Sequence, residues 1–281
     1  MPVGSEDIAR DVRAALVEDI GAGDLTAALI DDRLMGHARV MTREDMVLCG
    51  SKWFDETCRH VDTRISVQWN ALDGAQVAAQ SVLCELTGPV RAMLTAERAA
   101  LNFLQTLSGT ATLARRYALA VAGTGTVVLD TRKTIPGLRM AQKYAVKIGG
   151  CENHRFGLYD AVLIKENHIA ACGSITQAVR EARRLHAAVL VEVETLTQLD
   201  EAIAVGVDRV LLDNFDLDGI RSAVHRTAKR VKLEVSGGVS LNTIRTVADT
   251  GVDYISVGAL TKNVQAIDLS MRLDLGTVRR L

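Results

Sequence analysis

The sequence predicts an α/β protein in which a small, mostly antiparallel α+β domain precedes a barrel or near-barrel of parallel strands. Short apolar runs alternate with helical stretches from residue 126 onward, and this alternation is the pattern of a parallel sheet. Runs of four apolar residues are typical of strands that are covered on both faces. Residues 36–90 instead contain short strand patterns separated by turn signals, which favours a separate sheet.

The N-terminal domain is predicted to begin with an amphipathic helix that Ser5 caps and that ends near Gly21. A second helix, from Thr95 to about Val121 and broken or bent near Ser108-Gly109, is expected to lead out of the domain. Four short strands lie between the two helices, with an Asp73-Gly74 turn before the last. They are Ala38–Thr42, Met46–Cys49, Arg64–Trp69 and Val82–Thr87.

Six strands are predicted in the second domain, and six alternating units of strand and helix indicate a barrel or near-barrel. Folds of this class carry their active sites at the C-terminal ends of the strands. Gly21-Ala22-Gly23 lacks a preceding strand and a third glycine, so a dinucleotide site is disfavoured. The predicted strands are Thr126–Asp130, Ala161–Ile164, Ala188–Val193, Arg209–Leu212, Val231–Val235 and Tyr254–Val257.

The overall composition is that of a soluble globular enzyme, with 48% hydrophobic and 24% charged residues among 281. A net charge of −1 and the lack of a basic block argue against nucleic acid or an anionic membrane as a partner. The five scattered cysteines show no CxxC spacing and are expected to be reduced thiols. Since there is neither a signal-peptide pattern nor a membrane-length apolar run, we expect a cytoplasmic protein.

Positive charge is concentrated after the first two strands of the second domain. Thr131 to Ile169 contains seven Lys and Arg against three Asp and Glu, whereas the whole chain has 33 against 34. Local cations at strand ends indicate an anionic ligand. Arg139, Lys143 and Lys147 recur at helical spacing, so most of them are expected on a solvated helix face.

Glycine-bearing loops follow the last two strands, in Glu234-Val235-Ser236-Gly237-Gly238 and Ser256-Val257-Gly258-Ala259-Leu260-Thr261. Barrels often bind phosphate in the loops after their last two strands, because backbone N–H groups can approach an anion where no Cβ intervenes. The alternative is that these glycines only make tight turns.

Carboxylates mark two of the middle strands. Glu192 and Glu194 are two residues apart, which puts both on one side of a strand, and Asp213 ends the next strand. Such acids can hold Mg²⁺ and sugar hydroxyls beside a polyphosphate. They can equally be structural ion pairs, the more favoured interpretation for Glu194. Arg98, taken by itself, is typical of a helix-surface charge.

Several of these segments together resemble the quinolinate phosphoribosyltransferase family, whose members make nicotinate mononucleotide for NAD biosynthesis. The segments are DTRKTIPGLR (130–139), NHR (153–155), LIKENH (163–168), EVE (192–194), LLDN (211–214), EVSGG (234–238) and ISVGALT (255–261). EDIGAGDLT (18–26) and ERAALNFLQTLSGTAT (97–112) extend the resemblance over nearly the whole chain.

The resemblance implies a type II phosphoribosyltransferase, a glycosyltransferase with an N-terminal α+β sandwich domain and an open α/β barrel of six to seven strands. It implies domains at residues 1–112 and 113–264, with the tail 265–281 returning to the first domain. It also implies a homodimer, or a higher oligomer, whose active sites are shared between subunits. The substrates would be quinolinate and phosphoribosyl pyrophosphate, with Mg²⁺ as cofactor and with pyrophosphate and CO₂ as the other products.

The family's functional residues fall on matching positions of this chain. Quinolinate would be bound by Arg132, His154, Arg155 and Lys165, with Arg98 contributed by the neighbouring subunit. Lys133 and Lys165 would face the phosphoribosyl donor, and Glu192 and Asp213 would hold its ribose hydroxyls and Mg²⁺. Its 5-phosphate would contact Ser236, Gly237 and Gly258. The resemblance thus names Lys133, Lys165, Glu192 and Asp213 as the catalytic residues.

The chain departs from the family pattern at two points. Cys151 stands where a third glycine usually follows Gly149-Gly150, and Lys262-Asn263 stands where His-Ser often follows ALT.

Three other functions compete with this one. A molybdenum-transport-associated family is similar in fold and in its phosphoribosyl site, but it lacks a segment equivalent to Lys165–His168. A Schiff-base barrel lyase would use Lys165 as its nucleophile. A catalytically silent binding protein is disfavoured by charged sets at four strand ends.

Overall fold

The computed structural model describes residues 3–274, which fall into two compact units. The first comprises residues 3–114, 135–149 and 264–274, and the second comprises residues 115–134 and 150–263. The predicted tail 265–281 is therefore described only as far as Asp274, and the predicted first domain lacks description at residues 1 and 2.

The helices of the described chain are α1 (Ser5–Ile20), α2 (Ser51–Val61), α3 (Val90–Ala120), α4 (Arg139–Ile148), α5 (Glu166–Cys172), α6 (Ile175–Arg183), α7 (Leu196–Val205), α8 (Leu217–Thr227), α9 (Ile244–Ala248) and α10 (Ala259–Lys262). The strands are β1 (Met35–Thr42), β2 (Met46–Val47), β3 (Ser66–Trp69), β4 (Gln76–Val77), β5 (Val82–Pro89), β6 (Val127–Leu129), β7 (Val162–Ile164), β8 (Val189–Val193), β9 (Arg209–Asp213), β10 (Lys232–Ser236), β11 (Tyr254–Ser256) and β12 (Leu269–Asp274). A 3-10 turn spans Ala27–Leu29.

The first unit contains the antiparallel sheet that the sequence predicts. Its strand order is β12-β1-β5-β3, and a separate two-stranded ladder joins β2 to β4. Exposure alternates along β1, with Ala38 and Val40 fully buried, because one face of an antiparallel sheet packs on the core while the other meets water. The C-terminal β12 pairs with β1 from His37–Asp274 to Thr42–Leu269.

Three features of the helices in this unit differ from the predictions. Gly4, not Ser5, caps α1, and its N–H donates to Asp7 Oδ2 at 3.3 Å. The sequence reading also missed α2, which buries Trp53 and Phe54. Most clearly, α3 runs unbroken past Ser108-Gly109, so the predicted break is wrong.

Close packing explains why two small residues, Ser108 and Gly109, lie within α3. The Ser108 hydroxyl accepts the N–H of Cys49 at 3.0 Å and donates to the Cys49 carbonyl at 3.0 Å. A Cβ at Gly109 would collide with the carbonyl oxygen of Gln265. The two small residues therefore let other segments approach the helix without interrupting it.

The charged helix α4 is also more buried than its spacing suggests. Lys143 is fully buried, together with Ala141, Gln142, Ala145 and Val146. The solvated-face interpretation is wrong for Lys143, because this residue lies on the covered side of α4, whereas Lys147 is exposed.

The second unit is the parallel α/β unit that the sequence predicts. Its six strands are ordered β6-β11-β10-β9-β8-β7, and each neighbouring pair is parallel. A further parallel bridge joins Leu129 to Glu152 beside β6. Within residues 3–274 no ladder joins the two edge strands, β6 and β7. The α/β barrel is therefore open between these strands.

Covered strands account for the apolar runs of the second unit. Val191, Val193, Val210 and Leu212 are fully buried at the centre of the sheet. These residues alternate with Glu192 and Leu211, so the two sets face opposite sides of the strands. No helix of the described chain is long and apolar enough to cross a membrane.

Candidate active site

The polar residues of the second unit gather where its parallel strands end. Asp130 follows β6 and Lys165 follows β7, while Asp213 and Ser236 are the last residues of β9 and β10. Asp213 and Ser236 are direct partners in the parallel register. Because all six strands run the same way, these side chains share one rim of the sheet.

The cationic segment after β6 is organised by Asp130, which is fully buried. One carboxylate oxygen of Asp130 accepts the backbone N–H of His154 at 2.8 Å, and the other accepts Asn153 Nδ2 at 2.7 Å. Sequence reasoning quoted Asp130 within a motif but gave it no role. Its position after a buried strand was the available signal, since a buried carboxylate must be hydrogen-bonded.

Arg155 and His154 extend the hydrogen-bond network that begins at Asp130. Arg155 Nη1 donates to the carbonyl of Ala161 at 3.0 Å, and the Arg155 backbone N–H donates to His154 Nδ1 at 2.7 Å. Burial lowers the pKa of Arg155, and the nearby positive charge of Arg132 lowers it further. Two guanidinium groups close enough to repel each other are a chemistry that can bind an anion.

Lys165 and Glu192 form an ion pair across the neighbouring strands β7 and β8. Lys165 Nζ lies 2.9 Å and 2.7 Å from the two carboxylate oxygens of Glu192. His168 Nδ1 accepts the backbone N–H of Lys165 at 3.0 Å and so closes the first turn of α5. This turn fixes the backbone from which the lysine projects.

Glu194 does not share the arrangement of Glu192. It lies beyond the last residue of β8, is exposed, and its backbone N–H donates to Gln198 Oε1 at 2.8 Å. The expectation that both glutamates occupy one side of the strand fails because the strand ends at Val193.

The loops after β10 and β11 have the close approach that their glycines suggest. Gly237 has a φ of +97°, and a Cβ there would lie 3.3 Å from Asn214 Oδ1. A Cβ at Gly258 would lie 3.1 Å from Lys133 Cδ. Substitution would therefore strain the backbone at Gly237 and crowd Lys133 at Gly258.

Lys133 itself is held at the backbone. Its N–H donates to Thr131 Oγ1 at 3.1 Å, and its carbonyl accepts Thr261 Oγ1 at 2.9 Å. The loop after β6 is thereby tied to the loop after β11, and the exposed Lys133 side chain lies beside Gly258. Arg98 belongs to the first unit, where it is exposed on α3.

The two departures from the family pattern have simple structural settings. Cys151 is buried, and burial raises the pKa of its thiol to about 12. A thiol with so high a pKa is unreactive near neutral pH and acts as a small apolar side chain. Lys262 is exposed at the end of α10.

Glu234 is the functional candidate that sequence reasoning missed. It is fully buried on β10, and burial raises its pKa against the opposing effect of a hydrogen bond from Arg209. The signal was present in the sequence, since a glutamate in the apolar run Leu233 to Val235 interrupts a buried strand.

Comparison with known proteins agrees with this geometry. The C-terminal domain model of quinolinate phosphoribosyl transferase matches residues 110–272, and the corresponding N-terminal domain model matches residues 24–108. The chain therefore belongs to the quinolinate phosphoribosyltransferase family.

Individual relatives cover almost the entire chain. A probable nicotinate-nucleotide pyrophosphorylase [carboxylating] of Bacillus subtilis is 41% identical over 262 residues, which are 92% of this chain and 91% of the relative. The quinolinate phosphoribosyltransferase [decarboxylating] 1b of Nicotiana tabacum is 35% identical over 291 residues, 95% of this chain and 83% of the relative. The solved nicotinate-nucleotide pyrophosphorylase of Francisella tularensis is 48% identical with a TM-score of 0.94, covering 97% of this chain and 98% of that one.

Proposed function

We propose that this protein transfers a phosphoribosyl group from phosphoribosyl pyrophosphate to quinolinate and releases CO₂, giving nicotinate mononucleotide for NAD biosynthesis. One observation carries the proposal. In a chain that belongs to this family, Lys165, Glu192 and Asp213, which are assigned to the substrates, lie at the carboxyl ends of strands in one parallel sheet.

Quinolinate, with two carboxylates beside each other, matches the cationic side of this rim. Arg132, Arg155 and His154 would hold the carboxylates, because planar guanidinium groups bind carboxylates through paired hydrogen bonds. The mutual repulsion of Arg132 and Arg155, which lowers the pKa of Arg155, would be relieved when a dianion binds between them.

The donor would occupy the side of the rim where β9, β10 and β11 end. Asp213 and Ser236, partners in register, would face its ribose hydroxyls and its 5-phosphate. Glycine at positions 237 and 258 avoids the contacts that a Cβ would make with Asn214 and Lys133, so backbone N–H groups there could approach a phosphate. Lys133, beside Gly258, would neutralise the departing pyrophosphate.

Chemistry follows from the charges that develop. A bond forms between the ring nitrogen and ribose C1 as the bond from C1 to the pyrophosphate oxygen breaks, so positive charge grows on the sugar and negative charge on the leaving group. Carboxylates such as Asp213 and Glu192 stabilise the first, and Lys133 stabilises the second. The C2–carboxylate bond then breaks and CO₂ departs, the positive charge of the alkylated ring nitrogen stabilises the electron pair left on C2, and C2 takes a proton from solvent.

Mg²⁺ fits this site as an ion that accompanies the donor. Within residues 3–274 no group of three His, Cys, Asp or Glu side chains is arranged to hold a metal. Mg²⁺ is usually bound by one or two carboxylates together with substrate phosphates, and Glu192 and Asp213 would supply these carboxylates. The ion would add charge neutralisation at the pyrophosphate.

The setting of Lys165 favours this reaction over a Schiff-base lyase. Its ammonium group is paired with both carboxylate oxygens of Glu192, whereas an amine nucleophile is activated in an apolar pocket or beside another cation. Borohydride with a carbonyl substrate should therefore trap no covalent adduct.

We further propose a cytoplasmic homodimer with shared active sites. Its support is the exposed position of Arg98 on α3, available to a second chain, and the cysteines Cys49, Cys58, Cys84, Cys151 and Cys172, none of which forms a disulfide.

The reaction is tested by incubating the purified protein with quinolinate, phosphoribosyl pyrophosphate and Mg²⁺ and measuring nicotinate mononucleotide by chromatography. We expect product only when all three are present, and none in excess chelator. Full turnover in chelator would refute the part given to Mg²⁺, and the absence of product under all conditions would refute the function.

A further inference from the structure

Glu234 is a fully buried carboxylate for which the reaction described above has no use. It lies at the centre of β10, in register with Leu211 on one side and Tyr254 on the other. A buried carboxylate is strongly destabilising unless hydrogen bonds and opposite charge surround it. The contacts of its two oxygens therefore indicate what it does.

One oxygen is fixed by Arg209. Glu234 Oε2 accepts Arg209 Nη1 at 2.9 Å. The Arg209 guanidinium in turn stacks on Tyr254, 3.9 Å from the ring centroid. The arginine is thus held by a carboxylate and by an aromatic face, which sets the orientation of the Glu234 carboxylate.

The other oxygen faces His154. Glu234 Oε1 has no close hydrogen bond among the described residues, although the Ser256 hydroxyl is near enough to the carboxylate to lower its pKa. His154 Nε2 lies 3.5 Å from Oε1. The His154 side chain is 9% exposed, so little water competes for this contact. The distance is longer than a strong hydrogen bond, so the same Nε2–H can be shared with a second acceptor in a three-centre hydrogen bond.

The opposite side of the imidazole determines where its proton lies. His154 Nδ1 is 2.7 Å from the backbone nitrogen of Arg155, and a backbone N–H can only donate. Nδ1 must therefore be unprotonated, so the proton of the neutral ring is on Nε2 and faces Glu234 Oε1. The polarity of these contacts is consistent, because Arg209 donates to Oε2 and the Nε2–H of His154 is directed at Oε1, 3.5 Å away.

We propose that Glu234 is a positioning residue that holds His154 in its Nε2-protonated tautomer, so that the Nε2–H directed at Glu234 Oε1 is shared with a carboxylate of quinolinate. An anionic ligand needs a hydrogen-bond donor, and the other tautomer would present a lone pair at Nε2. Arg209, which stacks on Tyr254, fixes the orientation of the Glu234 carboxylate. The ligand named here rests on the proposed function, whereas the tautomer assignment does not.

The tautomer is measured by long-range ¹H–¹⁵N correlation on full-length protein labelled at histidine, with His154 assigned by its loss in His154→Asn. Wild-type protein should show the neutral Nε2–H pattern for His154. Glu234→Gln should disturb that pattern, because its amide can satisfy Arg209 and His154 together only by pointing an N–H₂ group at Nε2. Glu234→Asp retains the carboxylate and should keep the Nε2–H signal.

The matched control is Glu194→Gln, which removes an exposed carboxylate at the end of β8 and should leave the His154 signals unchanged. A wild-type His154 protonated at Nδ1, whether neutral or doubly protonated, overturns the proposal. So does an unchanged His154 pattern in folded Glu234→Gln. If that variant does not fold, Arg209→Gln removes the partner of Oε2 and must shift the His154 signals, and an unshifted signal again overturns the proposal.

Steady-state kinetics test whether the His154 tautomer affects the binding of quinolinate. Glu234→Gln should raise KM for quinolinate about tenfold to a hundredfold, the usual effect of removing a carboxylate that orients a histidine, with KM for the donor nearly unchanged. Equal increases for both substrates would indicate a purely structural role and contradict the proposal. A protein with no quinolinate activity would instead refute the proposed function, and the spectra would still decide the tautomer.

Discussion

Lys165 Nζ contacts both carboxylate oxygens of Glu192, at 2.9 Å and 2.7 Å, across the ends of adjacent parallel strands. The Glu192 side chain is 12% exposed and that of Lys165 is 43% exposed. The pair therefore joins a mostly buried carboxylate to a cation that remains open to solvent. An anion that reaches Lys165 would compete with Glu192 for it, and this competition would release Glu192 toward the ribose or its metal.

The first prediction concerns Glu192. Glu192→Gln should lower kcat about a hundredfold or more, because it removes a charge that stabilises the developing cation on the ribose. Glu194→Gln is the matched control and should retain wild-type kcat. Steady-state kinetics would check this, with circular dichroism confirming that both variants fold. Equal activity in the two variants would contradict the role given to Glu192.

The second prediction concerns substrate choice. Quinolinate should be preferred over nicotinate by about a hundredfold or more in kcat/KM, because one carboxylate offers Arg132, Arg155 and Lys165 less negative charge and fewer hydrogen-bond acceptors than two. Competition between the two acids for limiting donor measures the ratio. Similar specificity constants would show that Arg132, Arg155 and Lys165 do not distinguish a dicarboxylate from a monocarboxylate.

The third prediction concerns sharing of the active site between subunits. Arg98→Ala should be folded but inactive, whereas Arg184→Ala, another exposed arginine, should be active. A heterodimer of Arg98→Ala with Lys133→Ala chains should recover about half of the wild-type rate, since one of its two symmetry-related sites contains both native residues.

Tagged co-expression and tandem purification would isolate that heterodimer. Recovery no greater than that of the parent variants, or full activity in a monomer, would show that each site is built from one chain.

The fourth prediction concerns stability and pH. Asp24 accepts the N–H of Ala27 at 2.9 Å and the hydroxyl of Thr95 at 2.8 Å. The Ala27 hydrogen bond, followed by that of Thr95, lowers the pKa of Asp24 below its ordinary 3.8. Its contribution to stability is therefore present above that ordinary value and is lost as the pH falls through the lowered one.

Asp24→Asn should accordingly reduce Tm at pH 7, and the difference from wild type should narrow below about pH 4, where protonated aspartate resembles asparagine. Asp19→Asn, at an exposed position on α1, controls for the lost charge. A difference that stays constant from pH 7 to pH 3 would contradict this linkage.

The sequence predicted the parallel unit well because its signals are local. Buried strands require continuous apolar runs, and all six runs after residue 126 became strands of one sheet. The helix α2 has no continuous apolar run, because the residues of its covered face, Trp53, Phe54, Thr57 and Cys58, alternate with polar residues along the sequence. Tertiary contacts also decided Ser108-Gly109, which local propensity alone reads as a helix break.

In the candidate site, too, local sequence signals predict some residues, whereas others depend on tertiary contacts. Strand-end position and the family resemblance predict Lys165, Glu192 and Asp213 as site residues from the sequence, and the structure describes all three at strand ends of one sheet. The roles of Asp130 and Glu234 depend on contacts between segments distant in sequence, Asp130 with His154 and Glu234 with Arg209. Spacing along the chain does not reveal such contacts, so these residues required the structure.

The central claim is that donor-dependent glycosylation precedes and permits the loss of CO₂, and it is tested most directly with quinolinate labelled with ¹³C in its 2-carboxyl group. The protein, the labelled acid, phosphoribosyl pyrophosphate and Mg²⁺ should release one labelled CO₂ for each pyrophosphate and each nicotinate mononucleotide formed. No labelled CO₂ should appear when the donor is omitted. Labelled CO₂ without the donor, or pyrophosphate release with both carboxyl groups retained, would contradict the account.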